Sequence, residues 1–303
     1  MKILIVGYGV QGKKRKKALS NLNLSCVGVV DPFSQYANFK SINIVPLKTY
    51  DAVIICTPEN VKYKIIKYCI KNNKHIMVEK PFIINEKIFK KLNKDLIKKK
   101  IIFYVAYNHR FESSLIDIKN FIKKGYFGKI YHCNFFYGNG TAKDVKNSAW
   151  RDSKKGVITD LGSHLIDLSE FLFGIKEIGK FKTVIKNNFE NKAPDYSFFT
   201  NTKSNFKINI EVSLCSWKNK FTCDLFGEKG SAHINSLTKW SDSHLIVRRR
   251  VLPSGLPKER SFKYKFGDQT WEKELKYFIG LIKNKQINDS KKEFFINQNL
   301  KNI

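Results

Sequence analysis

Two acids and a histidine recur at helical spacing near the middle of the chain. Asp160, His164 and Asp167 stand at positions i, i+4 and i+7, so in a helix they share one face. A histidine with a carboxylate one turn away can accept and return a proton, because that charge tunes the imidazole near neutral pH. The plainer alternative is an aspartate that caps the first helical turn beside a solvated histidine. The spacing alone leaves both interpretations open.

A lysine at the end of a predicted strand is the second candidate. Lys80 follows the apolar run that ends at Glu79 and directly precedes Pro81. Since the residue before a proline is pushed out of the helical region, we expect the lysine to stand extended at the strand tip. A buried lysine near other charges can bind a substrate hydroxyl or act as acid or base. The alternative is an ordinary lysine without a catalytic role. The chain contains 49 lysines among its 56 basic residues, so the residue type alone says little.

A glycine-rich turn near the start of the chain is the most specific motif. Gly7-Tyr8-Gly9-Val10-Gln11-Gly12 stands between the apolar segment Lys2–Val6 and the helix-capable segment Lys13–Leu22. In that context the glycines allow a tight turn, close approach of a pyrophosphate, and close helix–strand packing. Asp31 ends the next apolar run, about twenty residues on, where an acid can bind a ribose 2′-hydroxyl. We predict a dinucleotide site, with a structural turn as the alternative, and NAD rather than NADP because a carboxylate repels a 2′-phosphate.

Three further segments are candidates because of where they fall. Thr57-Pro58 ends a predicted strand at the edge where dinucleotides lie, although alone it is best explained as an ordinary turn. Asn108-His109-Arg110-Phe111 falls at the predicted domain junction, and Trp150-Arg151-Asp152 lies in a long loop of the kind that often binds ligands. Arginine is rare in this chain, so Arg110 and Arg151 suggest a use for its planar fork.

The order of predicted elements in the first hundred residues indicates a doubly wound parallel sheet. Strand-like runs alternate with amphipathic helical segments, clearest at Val61–Lys71 and Asn85–Lys99. The interval Pro32–Tyr50 is short for a complete helix and strand. The predicted strands are Lys2–Val6, Ser25–Asp31, Asp51–Cys56, His75–Glu79 and Ile101–Ala106. This half predicts a Rossmann domain at residues 1–107.

Beyond residue 107 the rhythm changes to alternating β segments. Helices are predicted at Ser113–Lys124, Ile158–Phe173 and Thr270–Lys283, and the remainder predicts a large, mostly antiparallel sheet with helices on one face. We therefore predict an α/β protein whose α+β domain at 108–303 serves substrate binding and oligomerisation. The predicted strands are Lys129–Tyr137, Lys180–Lys186, Phe206–Leu214, Phe221–Phe226, Ser231–Asn235 and Leu245–Val251.

Composition restricts the class of protein. The formal net charge is +30, but lysine, asparagine, isoleucine, phenylalanine and tyrosine all have AT-rich codons, so codon bias explains the charge without a nucleic-acid partner. A nucleic-acid surface would more often show clustered arginines with exposed aromatics. No secretory signal and no membrane span are predicted. Six scattered cysteines without C-x-x-C spacing favour buried thiols in the reducing cytosol.

Other chemistries lack their motifs. The chain contains no G-x-S-x-G elbow, P-loop or H-E-x-x-H sequence. His75, His132, His233 and His244 are isolated, and no Cys/His pair has metal-like spacing. We therefore expect structural histidines and no metal site.

Together these motifs resemble the glucose–fructose oxidoreductase / inositol dehydrogenase / MocA family of NAD(P)-dependent oxidoreductases. The resemblance covers most of the chain, and several motifs in the family's order are far more specific than any one. They are Gly7-x-Gly9-x-x-Gly12, Thr57-Pro58, Glu79-Lys80-Pro81, Asn108-His109-Arg110-Phe111, Trp150-Arg151 and Asp160-x-Gly162-x-His164.

The resemblance implies roles for these residues. It makes Lys80, Asp160 and His164 the catalytic residues of a dehydrogenase acting on a sugar, polyol or nucleotide-sugar, assembled as a dimer or tetramer through the second sheet. We expect substrate contacts from Lys80, Arg110, Trp150, Arg151 and His164. We expect NAD contacts from Gly7, Gly9, Val10, Gln11, Gly12, Asp31, Thr57, Pro58, Glu79, Lys80 and Asn108.

Three departures from the family pattern bear on this expectation. The segment between Asp31 and Asp51 is short, and a histidine that the family often carries soon after Thr-Pro is replaced around Lys62. The polar segment from Asn288 to Ile303 is also brief. The alternative function is a catalytically inactive regulatory protein that keeps the dinucleotide fold, against which Lys80, Asp160 and His164 together argue.

Overall fold

The computed structural model describes residues 1–148, 151–153, 155–202, 205–286 and 291–303. The chain separates into two compact units. Unit 1 comprises Met1–Asn108 and Gln269–Asn297, and unit 2 comprises His109–Asp268 and Gln298–Ile303. Trp150 lies outside the described residues.

Unit 1 is built on a five-stranded sheet. Its strand order is β2-β1-β3-β4-β5, and every neighbouring pair is parallel. The strands read as continuous apolar runs because the sheet is buried on both faces. From β1 the chain adds β2 on one side of the sheet, and from β3 it adds β4 and β5 on the other. In such sheets the ligand-binding crevice lies at the carboxyl ends of the two strands where the order switches, here β1 and β3. The elements are β1 (Lys2–Val6), α1 (Val10–Asn21), β2 (Ser25–Val30), β3 (Ala52–Ile55), α2 (Glu59–Lys71), β4 (His75–Glu79), α3 (Glu86–Lys98), β5 (Phe103–Ala106) and α7 (Thr270–Lys283).

The connection from β2 to β3 is abbreviated, as its length predicts. Short 3-10 turns at Ile42–Ile44 and Leu47–Thr49 replace a full helix. Val30 forms an isolated parallel bridge with Phe39, and the Asn38 side chain accepts a hydrogen bond from the amide of Val29 at 2.9 Å. These contacts hold the segment that follows Asp31 against β2.

The helix α7 belongs to unit 1 although it lies far along the chain. Leu275 and Phe278 are fully buried and share one apolar cluster with Ile3 and Ile5 of β1. The segment 108–303, predicted as one domain, therefore divides in the structure. The physical reason is the apolar stripe of α7, which completes the core over the parallel sheet.

Unit 2 contains an eight-stranded sheet in the order β13-β12-β11-β10-β6-β9-β8-β7. Every pairing is antiparallel except β6 with β9. The predicted fold class, a parallel Rossmann sheet followed by a large antiparallel sheet with helices, is confirmed. The strands are β6 (Ile130–Gly138), β7 (Phe181–Asn187), β8 (Tyr196–Asn201), β9 (Lys207–Ser213), β10 (Lys220–Gly227), β11 (Gly230–Ile234), β12 (Ser243–Arg249) and β13 (Lys258–Tyr264).

Helices accompany this sheet, and the prediction missed the strands β8 and β13 and the helices α5 (Ala142–Lys146) and α8 (Lys291–Asn302). The predicted helix from Ile158 begins with a π-helical turn, Ile158–Gly162, and continues as α6 (Ser163–Phe173). The polar C-terminal segment forms the helix α8 (Lys291–Asn302), which the pattern did not predict. The remaining helices are α4 (Ser113–Lys123) and α5 (Ala142–Lys146).

None of the described helices is both long and apolar enough to cross a membrane. Within the same described part of the chain, no group of three or more His, Cys, Asp and Glu side chains is arranged to hold a metal ion.

Candidate active site

The glycine-rich turn joins β1 to α1 in a space that admits no side chain. Gly7 has φ +94°, and a Cβ on it would lie 2.8 Å from the main-chain carbonyl of Cys56. A Cβ on Gly12 would lie 2.1 Å from the carbonyl oxygen of Gly7. A larger residue at either position would force the turn away from β3 or from α1. The sequence requirement at both glycines is therefore steric.

The middle glycine faces open space. A Cβ on Gly9 would meet no atom within 4 Å, and Val10 behind it is 71% exposed. Gly9 has no side chain that could cap α1. The first amides of the helix, from Val10 through Gly12, therefore have no intrahelical acceptor and point beyond the helix end. Such an end carries partial positive charge and binds phosphate groups. The turn therefore fits a pyrophosphate.

Asp31 stands beside this turn at the end of β2. Its Oδ2 accepts a hydrogen bond from the Tyr8 amide at 2.7 Å, and its Oδ1 accepts from the amides of Phe33 and Ser34, both at 2.9 Å. Burial would raise the pKa of Asp31, but these three amides and the charge of Lys40 lower it. A carboxylate fixed in this way is ionised at neutral pH and suits a ribose hydroxyl.

The next two strands bring their ends to the same edge. Ile55 of β3 pairs with Val6 of β1, so Thr57 and Pro58 follow at the level of the glycine turn, and Thr57 is half-buried there. Val78 of β4 pairs with Ile55 in turn. The structure therefore places Gly7–Gly12, Asp31, Thr57-Pro58 and Glu79-Lys80 along one carboxyl edge of the sheet.

Glu79 is held by a buried ion cluster that the sequence does not predict. Arg15 of α1, 1% exposed, donates from Nε to Glu79 Oε1 at 2.6 Å, and its Nη2 lies 2.7 Å from Glu274 Oε2. Its guanidinium carbon also lies over the ring of Trp271, 4.3 Å from the centroid. Tyr104 donates to Glu274 at 3.1 Å. The only sequence signal was an arginine, rare here, on the inner side of α1.

This cluster couples three ionisable groups. Burial lowers the pKa of Arg15, but the two carboxylates outweigh it and raise that pKa. Burial raises the pKa of Glu274 to about 7, against the opposing effect of Arg15 and with the help of Glu79. One guanidinium therefore serves two carboxylates, and burial makes Glu274 easier to protonate than an ordinary glutamate.

In unit 2, His164 occupies the first turn of α6 and stacks on a second histidine. Its ring lies 4.0 Å from that of His109, with an interplanar angle of 11°. Both side chains are buried, at 5% and 2% exposed. The π-helical turn before α6 is of a kind often found at functional sites. His109 belongs to the sequence motif Asn108-His109-Arg110-Phe111, but its stacking on His164 was not predicted.

The acids predicted beside His164 engage different arginines. Asp160 Oδ2 accepts from Arg151 Nη2 at 3.1 Å, in a half-exposed pair. Asp167 is fully buried and accepts two hydrogen bonds from Arg110, from Nε at 2.7 Å and from Nη2. Arg110 thus ties the 3-10 turn at Asn108–Phe111 to α6. The structure brings Arg151 to Asp160, and it places Arg110 in a buried pair that orients α6.

A tyrosine and a lysine complete this cluster. Lys239 Nζ donates to the Tyr137 hydroxyl at 2.8 Å, and Tyr137 Oη lies 3.4 Å from His109 Nε2. Burial, together with the negative charges of Asp160, Asp268 and Glu112, raises the pKa of Tyr137. Glu112 accepts from the amide and hydroxyl of Thr238, which anchors the turn bearing Lys239. No sequence signal distinguishes Lys239 among 49 lysines.

The remaining predicted contact is Asn108. Its Nδ2 donates to Thr270 Oγ1 at 2.7 Å within unit 1, and it is 8% exposed. The amide therefore joins the end of β5 to the start of α7. Its contact with NAD stays a prediction, as do the contacts predicted for the other site residues.

A parallel sheet with a glycine turn, a strand-end acid and a bare helix end at its crevice defines a dinucleotide-binding protein of the Rossmann class. Two family models match the chain in order. The first, described as oxidoreductase family, NAD-binding Rossmann fold, matches residues 1–107. The second, described as GFO/IDH/MocA C-terminal domain, matches residues 115–233. The chain belongs to the GFO/IDH/MocA oxidoreductase family, which confirms the resemblance.

Individual relatives carry the similarity over different lengths. The chain is 30% identical to the scyllo-inositol 2-dehydrogenase (NADP(+)) IolW of Bacillus subtilis over 41% of its own length and 35% of the relative. It is 25% identical to the glucose-6-phosphate 3-dehydrogenase of the same organism over 78% and 77%. The chain spans about a third of the length of several curated relatives that it matches.

The fold is shared with solved structures. A levoglucosan dehydrogenase in complex with NADH superposes with a TM-score of 0.85, covering 99% of this chain and 95% of the other at 17% identity. At that identity the likeness establishes the fold.

Proposed function

We propose that this protein is an NAD-dependent oxidoreductase that transfers hydride between nicotinamide and a secondary alcohol or ketone of a sugar, polyol or nucleotide-sugar. The observation that carries the proposal is the alignment of the glycine turn, Asp31 and Lys80 along one carboxyl edge of the parallel sheet. When bound, the nicotinamide supplies the hydride chemistry. The residues of the chain supply binding, orientation and proton transfer.

The proposed roles follow from charge and position. Gly9 and the first amides of α1 bind the pyrophosphate, and Asp31 accepts from the ribose 2′-hydroxyl. Lys80 polarises the substrate oxygen. His164 takes or returns the hydroxyl proton, and Asp160 orients the reacting group. Thr57, Pro58, Glu79 and Asn108 complete the cofactor contacts.

Substrate recognition is proposed to rest on unit 2. Arg151 and Trp150 follow α5 in the chain, and Arg151 is held by Asp160. A half-exposed guanidinium suits an anionic sugar, whether a sugar phosphate, a hexuronic acid or a nucleotide-sugar. The similarity to a glucose-6-phosphate 3-dehydrogenase supports the phosphorylated or otherwise anionic class. We further propose that Arg110 acts through its buried pair with Asp167, by orienting α6.

The test is a panel of polyols, sugars, sugar phosphates and nucleotide-sugars, monitored by the absorbance of NADH with NAD and then with NADP. We expect turnover with at least one sugar-type alcohol and a preference for NAD. Tight binding of NADH without turnover of any member, in either direction, would favour the regulatory protein instead.

Location and assembly are proposed on separate grounds. The six cysteines are all free thiols, which supports a reducing compartment, and we propose the cytoplasm.

The face of the second sheet that carries Asn134, Phe136 and Phe226 stays half-exposed while the alternate residues are buried. We propose that this face forms the contact of a homodimer or homotetramer. Light scattering coupled to gel filtration tests the assembly, and a monomeric mass at micromolar concentration would rule it out.

A further inference from the structure

A lysine lies buried where the apolar stripe of α2 would place a core residue. Lys62 stands one turn before Ile66, on the side of α2 that packs on the sheet, and is 3% exposed. Its Nζ donates to the main-chain carbonyl of Glu79 at 2.5 Å and to that of Pro81 at 2.7 Å. These are the carbonyls immediately before and after Lys80. One ammonium group therefore holds both sides of the proposed catalytic lysine.

The charges around Lys62 explain why it can be buried. Burial lowers the pKa of Lys62 to about 8, while Glu79 and Glu59 raise it, Lys80 lowers it and Cys56 raises it slightly. The carboxylate of Glu79 is itself bound by Arg15. Two cations thus bracket Glu79, Arg15 at its carboxylate and Lys62 at its carbonyl. The end of β4 is held at three points within unit 1.

An ammonium group suits this task better than the other donors available. It offers three N–H groups, whereas a neutral imidazole offers a single N–H donor and could satisfy only one of the two carbonyls. A buried carbonyl without a donor is costly, so removal of Lys62 would release the chain at Glu79 and Pro81. The main chain at Lys80 would then no longer be fixed, so the direction of the Lys80 side chain would not be fixed either.

We propose that Lys62 is a positioning residue for catalysis, which fixes the main chain on both sides of Lys80 and thereby directs the Lys80 side chain. This inference rests on the proposed function in that Lys80 is the catalytic lysine. It assigns Lys62 no contact with substrate. Lys62 acts through hydrogen bonds to two carbonyl oxygens.

The test compares Lys62→Met with Lys64→Met, an exposed lysine on the same helix. Met has nearly the same volume but no donor. Hydrogen exchange followed by mass spectrometry on peptides spanning residues 79–84 measures the main chain directly. We expect exchange there to rise by about tenfold or more in Lys62→Met, as for a segment that opens locally, and to stay unchanged in Lys64→Met.

Kinetics provide the second readout, with the substrate identified for the wild-type protein. Displacement of a catalytic group by about 1 Å can cost about a hundredfold, so we expect kcat of Lys62→Met to fall between about tenfold and a hundredfold. The affinity for NADH, measured by fluorescence, should change less than about threefold, because the glycine turn and Asp31 are untouched. Lys62→Arg, which keeps charge and donors, should recover part of kcat.

The outcomes separate the two proposals. Unchanged exchange at residues 79–84 together with wild-type kcat in Lys62→Met would overturn the positioning role. If the wild-type protein turns over no substrate, the proposed function fails, yet the exchange comparison still decides whether Lys62 holds this segment. If Lys62→Met does not fold, Lys62→Leu, which also has no donor, takes its place. An exchange pattern in Lys62→Leu identical to wild type would then contradict the proposal.

Discussion

The imidazole rings of His109 and His164 lie parallel and 4.0 Å apart in unit 2. One ring comes from the turn that ends at Phe111 and the other from the first turn of α6. His109 also reaches Tyr137, whose hydroxyl accepts from Lys239. The position of His164 therefore depends on a second histidine that belongs to a separate sequence motif.

Replacing one ring at a time tests which histidine transfers the proton. His164→Phe keeps a stacked ring but removes both nitrogens, so we expect kcat to fall by about 10²–10⁴, the usual value of a general acid or base. His109→Phe should cost less than about tenfold, since it keeps the stack and leaves His164 intact. Steady-state kinetics measure kcat of the two variants, and NADH titration measures their affinity for the cofactor. Equal losses in the two variants would show that the pair acts as one unit.

Lys80→Ala should separate binding from turnover. We expect NADH affinity within about threefold of wild type, because the pyrophosphate and ribose contacts lie elsewhere, with a fall in kcat of about 10²–10⁴. Lys87→Ala, at an exposed position of α3, is the matched control. Wild-type kcat in Lys80→Ala would contradict its catalytic role.

Asp31 should govern the choice between NAD and NADP. Asp31→Asn keeps one acceptor oxygen for the neighbouring amides but removes the negative charge. We expect kcat/KM for NAD to fall by about tenfold, consistent with losing a charge-assisted hydrogen bond worth about 1.5 kcal/mol. In the same variant kcat/KM for NADP should rise, because the carboxylate no longer repels the 2′-phosphate. Asp95→Asn on the exposed side of α3 should change neither.

The Arg15 cluster predicts a pH dependence of stability. Burial raises the pKa of Glu274 from 4.5 to about 7. A raised pKa in an acid means that the folded state binds the proton more tightly. The contribution of Glu274 to the stability of the folded state is therefore fully present below its ordinary pKa of 4.5, and it is lost as pH rises through about 7. By linkage this loss is about 1–3 kcal/mol.

Urea unfolding of Glu274→Gln measures this contribution. The variant carries no titrating group at this position, so the part of the stability that wild type loses between about pH 5 and 7 should vanish. Glu86→Gln, in a surface pair with Lys90, is the control and should follow wild type. Parallel stability curves for Glu274→Gln and wild type would exclude the shifted pKa.

The glycine turn and the strands of unit 1 were predictable because they depend on local rules. Gly7 needs a positive φ and Gly12 a missing Cβ, and apolar runs of five residues signal buried parallel strands. Lys62 and Arg15 escape these rules, since a charged side chain on an inward helical face contradicts the pattern. Their positions make sense only beside Glu79, which lies far away in sequence.

The second unit shows the limits of periodicity differently. The strand Lys258–Tyr264 was missed because it lies at the sheet edge and is almost entirely polar and exposed. The helix from Ile158 was predicted with regular α spacing, but its first turn is π-helical. That turn depends on packing against the sheet, which the spacing of Asp160 and His164 does not encode.

The assignment of α7 to unit 1 has a consequence for how the protein is made. The five strands of the parallel sheet are complete once residue 106 has been synthesised, but Leu275 and Phe278, which cover one of its faces, follow only after more than half of the chain. Nascent unit 1 must therefore leave the ribosome with an uncovered apolar surface. While the eight-stranded sheet is being translated, that surface is exposed to chaperones and to self-association.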